Sequence, residues 1–295
     1  MLNLAWVRTF LALVEHKSFR SAAGQLQLAQ PTVSQQLRKL EQQLGVVLLT
    51  RSRLGCAPTP AAVAFIPYAE SLVRIHQRAI AAVQRGEQRI GASSNVGIYV
   101  LQPYLKTYLD GRDLASFDIA IDRNPAIAQK LSDSEIDVAV MEWWDKRPGF
   151  QWKEWRREPL VVIVPSAHPL AARREIHKEE LATLVLLGGE TGTGTGHLLD
   201  TYFRPGEPGP QISALQLGST EAVKQAVKAG LGISLVLRSA VAEEVASGSL
   251  RAIPVKPELS KDIFVIWRGI GTAAVPPFVT HLTRSNPPTS PAACD

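Results

Sequence analysis

A chain of 295 residues with 45% hydrophobic and 20% charged residues has room for two or three folded units and the composition of an ordinary globular protein. It holds no run of 18 uncharged apolar residues and no basic segment leading into an apolar one, so neither a membrane span nor a signal peptide is expected and the cytoplasm is the expected compartment. Cys56 and Cys294, the two cysteines, supply neither a disulfide framework nor a CxxC metal pair and are expected as free thiols.

The net charge of +5 is unevenly placed. Residues 1–85 carry ten Lys/Arg against three Asp/Glu, a net of +7, while residues 86–295 carry 22 against 24, a net of −2. A small basic unit joined to a larger near-neutral one suits a polyanion-binding module attached to a sensory or catalytic body. The plainer alternative is a basic face that only meets water.

Leu4, Val7, Phe10, Leu11 and Val14 recur at helical spacing and predict a first amphipathic helix. Ser18 is placed to cap a second helix that buries Phe19, Ala22, Ala23 and Leu26, its small alanines allowing a close crossing. Gln30-Pro31 opens a third, since proline's fixed φ and missing N–H suit a first helical turn. Val33, Leu37, Leu40 and Leu44 form its inner stripe, and Gly45 ends it. Gln30, Pro31, Thr32, Ser34, Gln35 and Arg38 are left facing outward. Gln, Ser and Thr hydrogen-bond base edges and Arg meets guanine or phosphate, so this face suits the major groove of DNA. Residues 46–55 predict a strand, a basic turn and a return strand, a wing that sets Arg51 and Arg53 over the DNA backbone or minor groove.

These stretches, FLALVEHKSFRSAAGQL, AQPTVSQQLRKLEQQLGVVLLTR and the Thr59-Pro60 that enters a long helix, resemble the winged helix-turn-helix of LysR-type transcriptional regulators. Three positions depart from the family pattern: Ala29 where Ser or Thr is common, Gln35 where Arg is frequent, and Leu49-Thr50 in place of a Phe-acidic pair. The expected DNA-binding domain spans residues 1–59.

Residues 60–86 predict a linker helix with Ile66, Val73 and Ile80 seven apart and Ala69, His76 and Val83 seven apart. Such a seam, with no cover in its own chain, implies a second copy of the protein as a dimer, with a tetramer the expected higher assembly. Pro67 is placed to bend the helix. His76 is expected as a packed or water-bonded histidine, because no other His stands at metal-ligand spacing.

From residue 87 onward strand-like runs alternate with helical ones: 88–92, 117–122, 136–141, 160–165, 184–187, 215–217, 233–237 and 263–268. This grammar predicts an α/β fold with a parallel sheet. Two lobes are expected, one of about 89–165 with 265–284, the other of about 166–264, and residues 285–295 are expected as a disordered tail. Ser93-Ser94-Asn95, Asn124 and Ser219-Thr220 fall at predicted helix starts, where free N–H groups attract anions. GGETGTGTG, residues 188–196, offers the hydroxyls of Thr191, Thr193 and Thr195 but lacks P-loop and dinucleotide spacing, and a flexible surface loop is the plainer alternative. Trp143 and Trp144 either stack on a ligand ring or close a hydrophobic edge, the second being favoured.

The segment LGSTEAVKQAVKAGLGISLVLRSAV extends the resemblance to the whole chain. The resemblance implies a two-lobed, periplasmic-binding-protein-like effector domain over residues 87–284, in which Ser93, Asn95, Asn124, Thr193 and Ser219 touch the ligand. The function expected is therefore sequence-specific binding of double-stranded promoter DNA, modulated by a small anionic metabolite held between the lobes, without cofactor, metal or membrane. An enzyme is disfavoured because no GxSxG or His-Glu metal motif is present and neither Glu142 nor Glu190 has an evident acid/base partner. A pure solute-binding protein is disfavoured by the basic module.

Overall fold

The computed structural model describes residues 2–52, 55–85, 88–189, 193–203, 206–269 and 275–284. The chain divides into two compact units, Met1–Glu87 and Gln88–Asp295. The first contains helices α1 (Leu4–His16), α2 (Phe19–Leu26) and α3 (Gln30–Leu44), the hairpin β1 (Leu49–Ser52) and β2 (Gly55–Pro58), and the long helix α4 (Pro60–Arg85).

Local chemistry sets each boundary. The Asn3 side chain accepts from Ala5 N at 2.9 Å to start α1, and Lys17 ends it with a left-handed φ of 52°. Ser18 Oγ accepts from Ser21 N to start α2, and Gly45 closes α3 at φ 71°. Thr59 Oγ1 accepts from Ala62 N at 3.2 Å and donates to Val47 O at 2.8 Å, so one hydroxyl caps α4 and pins the segment before the wing. Gly55 has φ 122°, and a Cβ there would lie 2.0 Å from Lys17 O. Only glycine fits where the wing returns against the end of α1, and there Cys56 N donates to Lys17 O at 3.0 Å.

The core of this unit is Val7, Phe10, Leu13, Ala22, Val33, Leu37, Leu40, Leu48 and Ala62, all buried. Ala69 is buried in the same cluster, and Ile66 and Val73 pack against it. The front of the expected seam is thus covered by the unit's own helices, because α4 lies along α1 there. The later seam positions His76, Ile80 and Val83 are exposed, as are Tyr68, Leu72 and Ile75.

The second unit has one ten-stranded mixed sheet. In chain order it runs β3 (Gln88–Ser93), α5 (Gln102–Leu109), β4 (Phe117–Asp122), α6 (Asn124–Ser132), β5 (Val138–Met141), β6 (Phe150–Pro165), β7 (Ile176–His177), α7 (Lys178–Leu181), β8 (Val185–Leu187), α8 (Gly194–Tyr202), β9 (Gln211–Ile212), α9 (Thr220–Lys228), β10 (Ile233–Leu237), α10 (Ala242–Ala246), β11 (Leu250–Lys256), β12 (Ser260–Arg268) and α11 (Pro277–Arg284). A single π-helical turn, Val96–Val100, follows β3.

The sheet order is β4-β3-β5-β12-β6-β10-β8-β9, with β11 also on β6 and β7 on β11. The expected parallel sheet is only partly realised. β4, β3 and β5 are mutually parallel, as are β10, β8 and β9, but β12 is antiparallel to β5 and β6, and β6 is antiparallel to β10 and β11. Residues 215–217, expected as a strand, are not one; the neighbouring edge strand is Gln211–Ile212, set parallel to β8. Two leucines in three positions do not distinguish a strand from a packed loop.

Strand β6 belongs to both halves of the unit. Residues 150–159 pair with β12, and from residue 160 the partners are β10 and β11. Pairing therefore groups residues 160–165 with the second lobe and 260–264 with the first, a different division from the one the sequence suggests. Residues 285–295, expected as a tail, lie outside the described residues, and so does Cys294. Cys56 is a buried free thiol. Among the described residues no helix is long and apolar enough to cross a membrane.

Glu41 Oε1 accepts from both Leu48 N at 2.8 Å and Leu49 N at 3.2 Å, tying α3 to the start of the wing. Glu41→Ala leaves two partly buried donors unpaired and is expected to destabilise the first unit by about 1–3 kcal/mol, read from its thermal transition.

Candidate DNA-reading face and effector site

In the first unit α3 turns Val33, Leu37 and Leu40 inward and leaves Gln30, Pro31, Gln35 and Arg38 exposed, with Thr32 and Ser34 half-buried on the flanks. The orientation is locked from below: Thr9 Oγ1 on α1 donates to Gln36 Oε1 at 2.5 Å, and Lys39 Nζ lies 5.7 Å from the centroid of the Trp6 ring. α3 thus presents a polar first turn and an arginine one turn later on a helix braced at two points. Arg51 stands in β1 opposite Cys56, within the two-stranded wing. Arg53 lies outside the described residues.

In the second unit the candidate residues collect where parallel strands end. β4, β3 and β5 finish side by side, and Ser93, Asn124 and Glu142-Trp143 follow or terminate them, the position at which open α/β sheets hold ligands. Ser93 is 2% exposed, and its Oγ has no hydrogen-bond partner among the described residues. Asn95 Oδ1 accepts from Thr220 Oγ1 at 2.6 Å, which brings the start of α9 to the end of β3.

Asn124 also braces the chain that leaves β5. Its Nδ2 donates to Trp143 O at 3.1 Å and its Oδ1 accepts from Glu142 N at 3.1 Å. Both polar atoms of the amide hold the chain leaving β5, so Asn124 shapes the site and its amide is already engaged. Thr193 and Ser219 are the caps of α8 and α9, accepting from Gly196 N at 3.0 Å and Ala222 N at 3.2 Å. Thr193 is half-buried and Ser219 exposed. Within GGETGTGTG, Gly188 and Gly189 take φ of 74° and 81°, and Glu190–Gly192 lie outside the described residues.

Two clusters here escape a linear reading. Lys261 Nζ donates to Glu142 Oε2 at 2.6 Å and to Thr195 Oγ1 at 3.1 Å, joining β12, the end of β5 and α8. Trp143 stacks on His197 of the same helix, with centroids 4.8 Å apart and planes at 28°, while its Nε1 is buried without a partner among the described residues. Trp144 instead turns to the other side and meets Phe150 edge-on in a separate apolar cluster, the edge-closing role favoured for this pair. The signal for Lys261 was its alternation: it shares the inward face of β12 with Ile263 and Val265.

The second cluster surrounds Lys224 on α9, whose ammonium reaches Glu221 at 2.8 Å, Glu244 at 2.9 Å and Ala240 O at 3.0 Å. Burial pushes this lysine down, but the hydrogen bonds it donates to Glu221 and Glu244 outweigh that and hold its pKa above the ordinary value. The ammonium also lies 5.1 Å from the centroid of Tyr99, a residue of the π-helical turn, whose phenol burial pushes up.

Comparison with known proteins bears on both faces. Residues 4–63 match the family model described as bacterial regulatory helix-turn-helix protein, lysR family, and residues 81–286 match the LysR substrate binding domain. The chain belongs to the LysR family. It is a DNA-binding transcriptional regulator with an effector-binding domain.

Among its relatives, the protein named PtxE of Stutzerimonas stutzeri is 47% identical over 196 residues, 66% of this chain and all of that one. The HTH-type transcriptional regulator CbbR of Sinorhizobium medicae is 30% identical over 259 residues, 86% of this chain and 82% of that one. The fold is also that of full-length CbnR solved with its target DNA, at TM-score 0.63 and 19% identity, covering 95% of this chain and 97% of that one.

Ser93 carries an unpaired buried hydroxyl, which costs folding free energy. Ser93→Ala is therefore expected to leave the second unit as stable or about 1 kcal/mol more stable in thermal denaturation, while weakening the response of its DNA complex to effector. A loss of stability would mean that the hydroxyl serves packing rather than binding.

Proposed function

We propose that this regulator binds promoter DNA as a dimer through the outer face of α3 and the wing, and that a small anion held between the lobes of the second unit alters that binding. The observation that carries the first part is the exposed row Gln30, Pro31, Gln35 and Arg38 on a helix fixed by its own buried face. Gln30, Thr32, Ser34 and Gln35 are the base readers in this reading, and Arg38, Arg51 and Arg53 the phosphate or guanine contacts. Gln35 in place of the family's frequent arginine gives the operator preference its individual character. The second copy is supported by Tyr68, Leu72, Ile75, Ile80 and Val83, apolar side chains left exposed along α4. Two such copies set two recognition helices on paired half-sites, and a tetramer would engage a longer control region.

The effector reading rests on Ser93, Asn95, Thr193 and Ser219 gathered with Asn124 at strand ends and helix caps. It requires neither cofactor nor metal, has no catalytic step, and places the protein with its DNA in the cytoplasm.

A mobility-shift titration on DNA upstream of the protein's own gene tests the reading. Affinity is expected to fall steeply with salt and to exceed that for random DNA. Gln30→Ala or Thr32→Ala should cost about 1–3 kcal/mol at the base it reads and relax preference there. Arg51→Ala should weaken binding on every sequence and reduce the salt slope by about one. Equal behaviour of the two classes would overturn the division of roles. Leu72→Glu with Ile75→Glu should shift the protein towards monomer in sedimentation and lower operator affinity.

A further inference from the structure

We propose that Lys261 is the anion receptor of the effector site and that Glu142 is a ligand built into the chain, which an incoming small oxyanion displaces. The inference rests on the effector reading above. A lysine 3% exposed is expensive to bury unless an anion accompanies it, and the anion here comes from 119 residues away. The carboxylate does more than neutralise the lysine. It lies against the first residue of α8, where a Cβ on Gly194 would come within 1.8 Å of Glu142 Oε2 and 3.1 Å of Lys261 Nζ. Glu142 therefore occupies the anion position at the start of this nine-residue helix, which a bare glycine leaves open.

Two further buried donors, on the strand ends beside Glu142, have no partner among the described residues. Ser93 Oγ is buried without a partner at the end of β3, the strand beside β5, and Trp143 Nε1 is buried without a partner on the residue after Glu142. Among the described residues Lys261 has two acceptors, Glu142 and Thr195, for three protons. The donor set thus exceeds what one carboxylate satisfies and suits an oxyanion with more acceptor oxygens. Since Lys261 comes from β12 of the first lobe and Thr195 from α8 of the second, an anion that takes the place of Glu142 would lie where the two lobes are linked and could change how they are held. An effector could shift the two arrangements by that difference in affinity.

The test is calorimetric titration of the full-length protein with inorganic phosphate, sulfate and acetate, at ionic strength matched with potassium chloride. Glu142→Gln removes the internal competitor and is expected to tighten binding of at least one of these anions by about tenfold or more. Glu142→Ala also removes the carboxylate and should act in the same direction, which keeps the test valid if Glu142→Gln fails to fold, whereas Gly194→Ala puts a methyl at the anion position and should weaken binding. Lys261→Gln combined with Glu142→Gln should bind no anion. Phosphate and sulfate tightening without acetate would assign a tetrahedral oxyanion, and the reverse a carboxylate.

Binding by Glu142→Gln and Glu142→Ala no tighter than by the unaltered protein would overturn the inference, as would unaltered binding after loss of Lys261. If the variants bind anion tightly but the operator complex is indifferent to it, the inference stands and the regulatory reading of the site falls. If the variants bind no tighter while Ser93→Ala still changes the response of the operator complex to phosphate, the reading stands and the inference falls.

Discussion

The α/β unit depends on one continuous strand. β6 runs for 16 residues and changes partners near its middle, where Leu160 N donates to Leu259 O at 2.8 Å. Before that point it is paired with β12, after it with β10 and β11. Because a strand is stiff along its hydrogen-bonded length, each half is rigid and any rearrangement between them concentrates at the change of partner. A bulge reinforces the first half: the register with β12 skips Trp155, whose Nε1 donates to Leu282 O at 3.0 Å and whose ring meets Tyr104 edge-on. One displaced residue thereby docks α11 and α5 onto the sheet.

Polar contacts span the two halves around that strand. Asn95 to Thr220, Lys261 to Thr195, and the Trp143 stack on His197 all link residues of the first lobe to α8 or α9 of the second. Such contacts exchange readily for ligand or water, unlike a packed apolar interface, so they suit a site that must open. The half-buried Arg156 pairs with the buried Glu158 on β6 itself, with Arg156 Nη1 donating to Tyr104 OH at 2.9 Å, and burial pushes the Glu158 carboxyl up despite its arginine.

Much of the DNA-reading face was legible in the sequence because it is built from local rules. A cap, a proline, a glycine stop and a helical apolar stripe each act within four residues, and Ser18, Pro31, Gly45 and Val33-Leu37-Leu40 stand in the structure as their spacing implies. The linker seam was legible in period but not in orientation. Ile66, Ala69 and Val73 satisfy a heptad, yet what covers them is the packing of α4 on α1, a tertiary fact. The strand grammar of the larger unit was recognisable too, but strand direction was not, since pairing depends on partners more than a hundred residues apart.

By itself the sequence determined the elements, their order, the basic amino-terminal module and the polar residues at helix starts. Each of these follows from interactions among near neighbours or from composition. Only the tertiary structure decided which of those polar residues keep free valences. Asn124 spends both ends of its amide on the chain leaving β5, whereas Ser93 retains an unpaired hydroxyl and Glu142 finds its lysine at position 261. A buried polar group takes its character from whichever atoms close around it, and those atoms come from strands that meet only when the sheet is assembled.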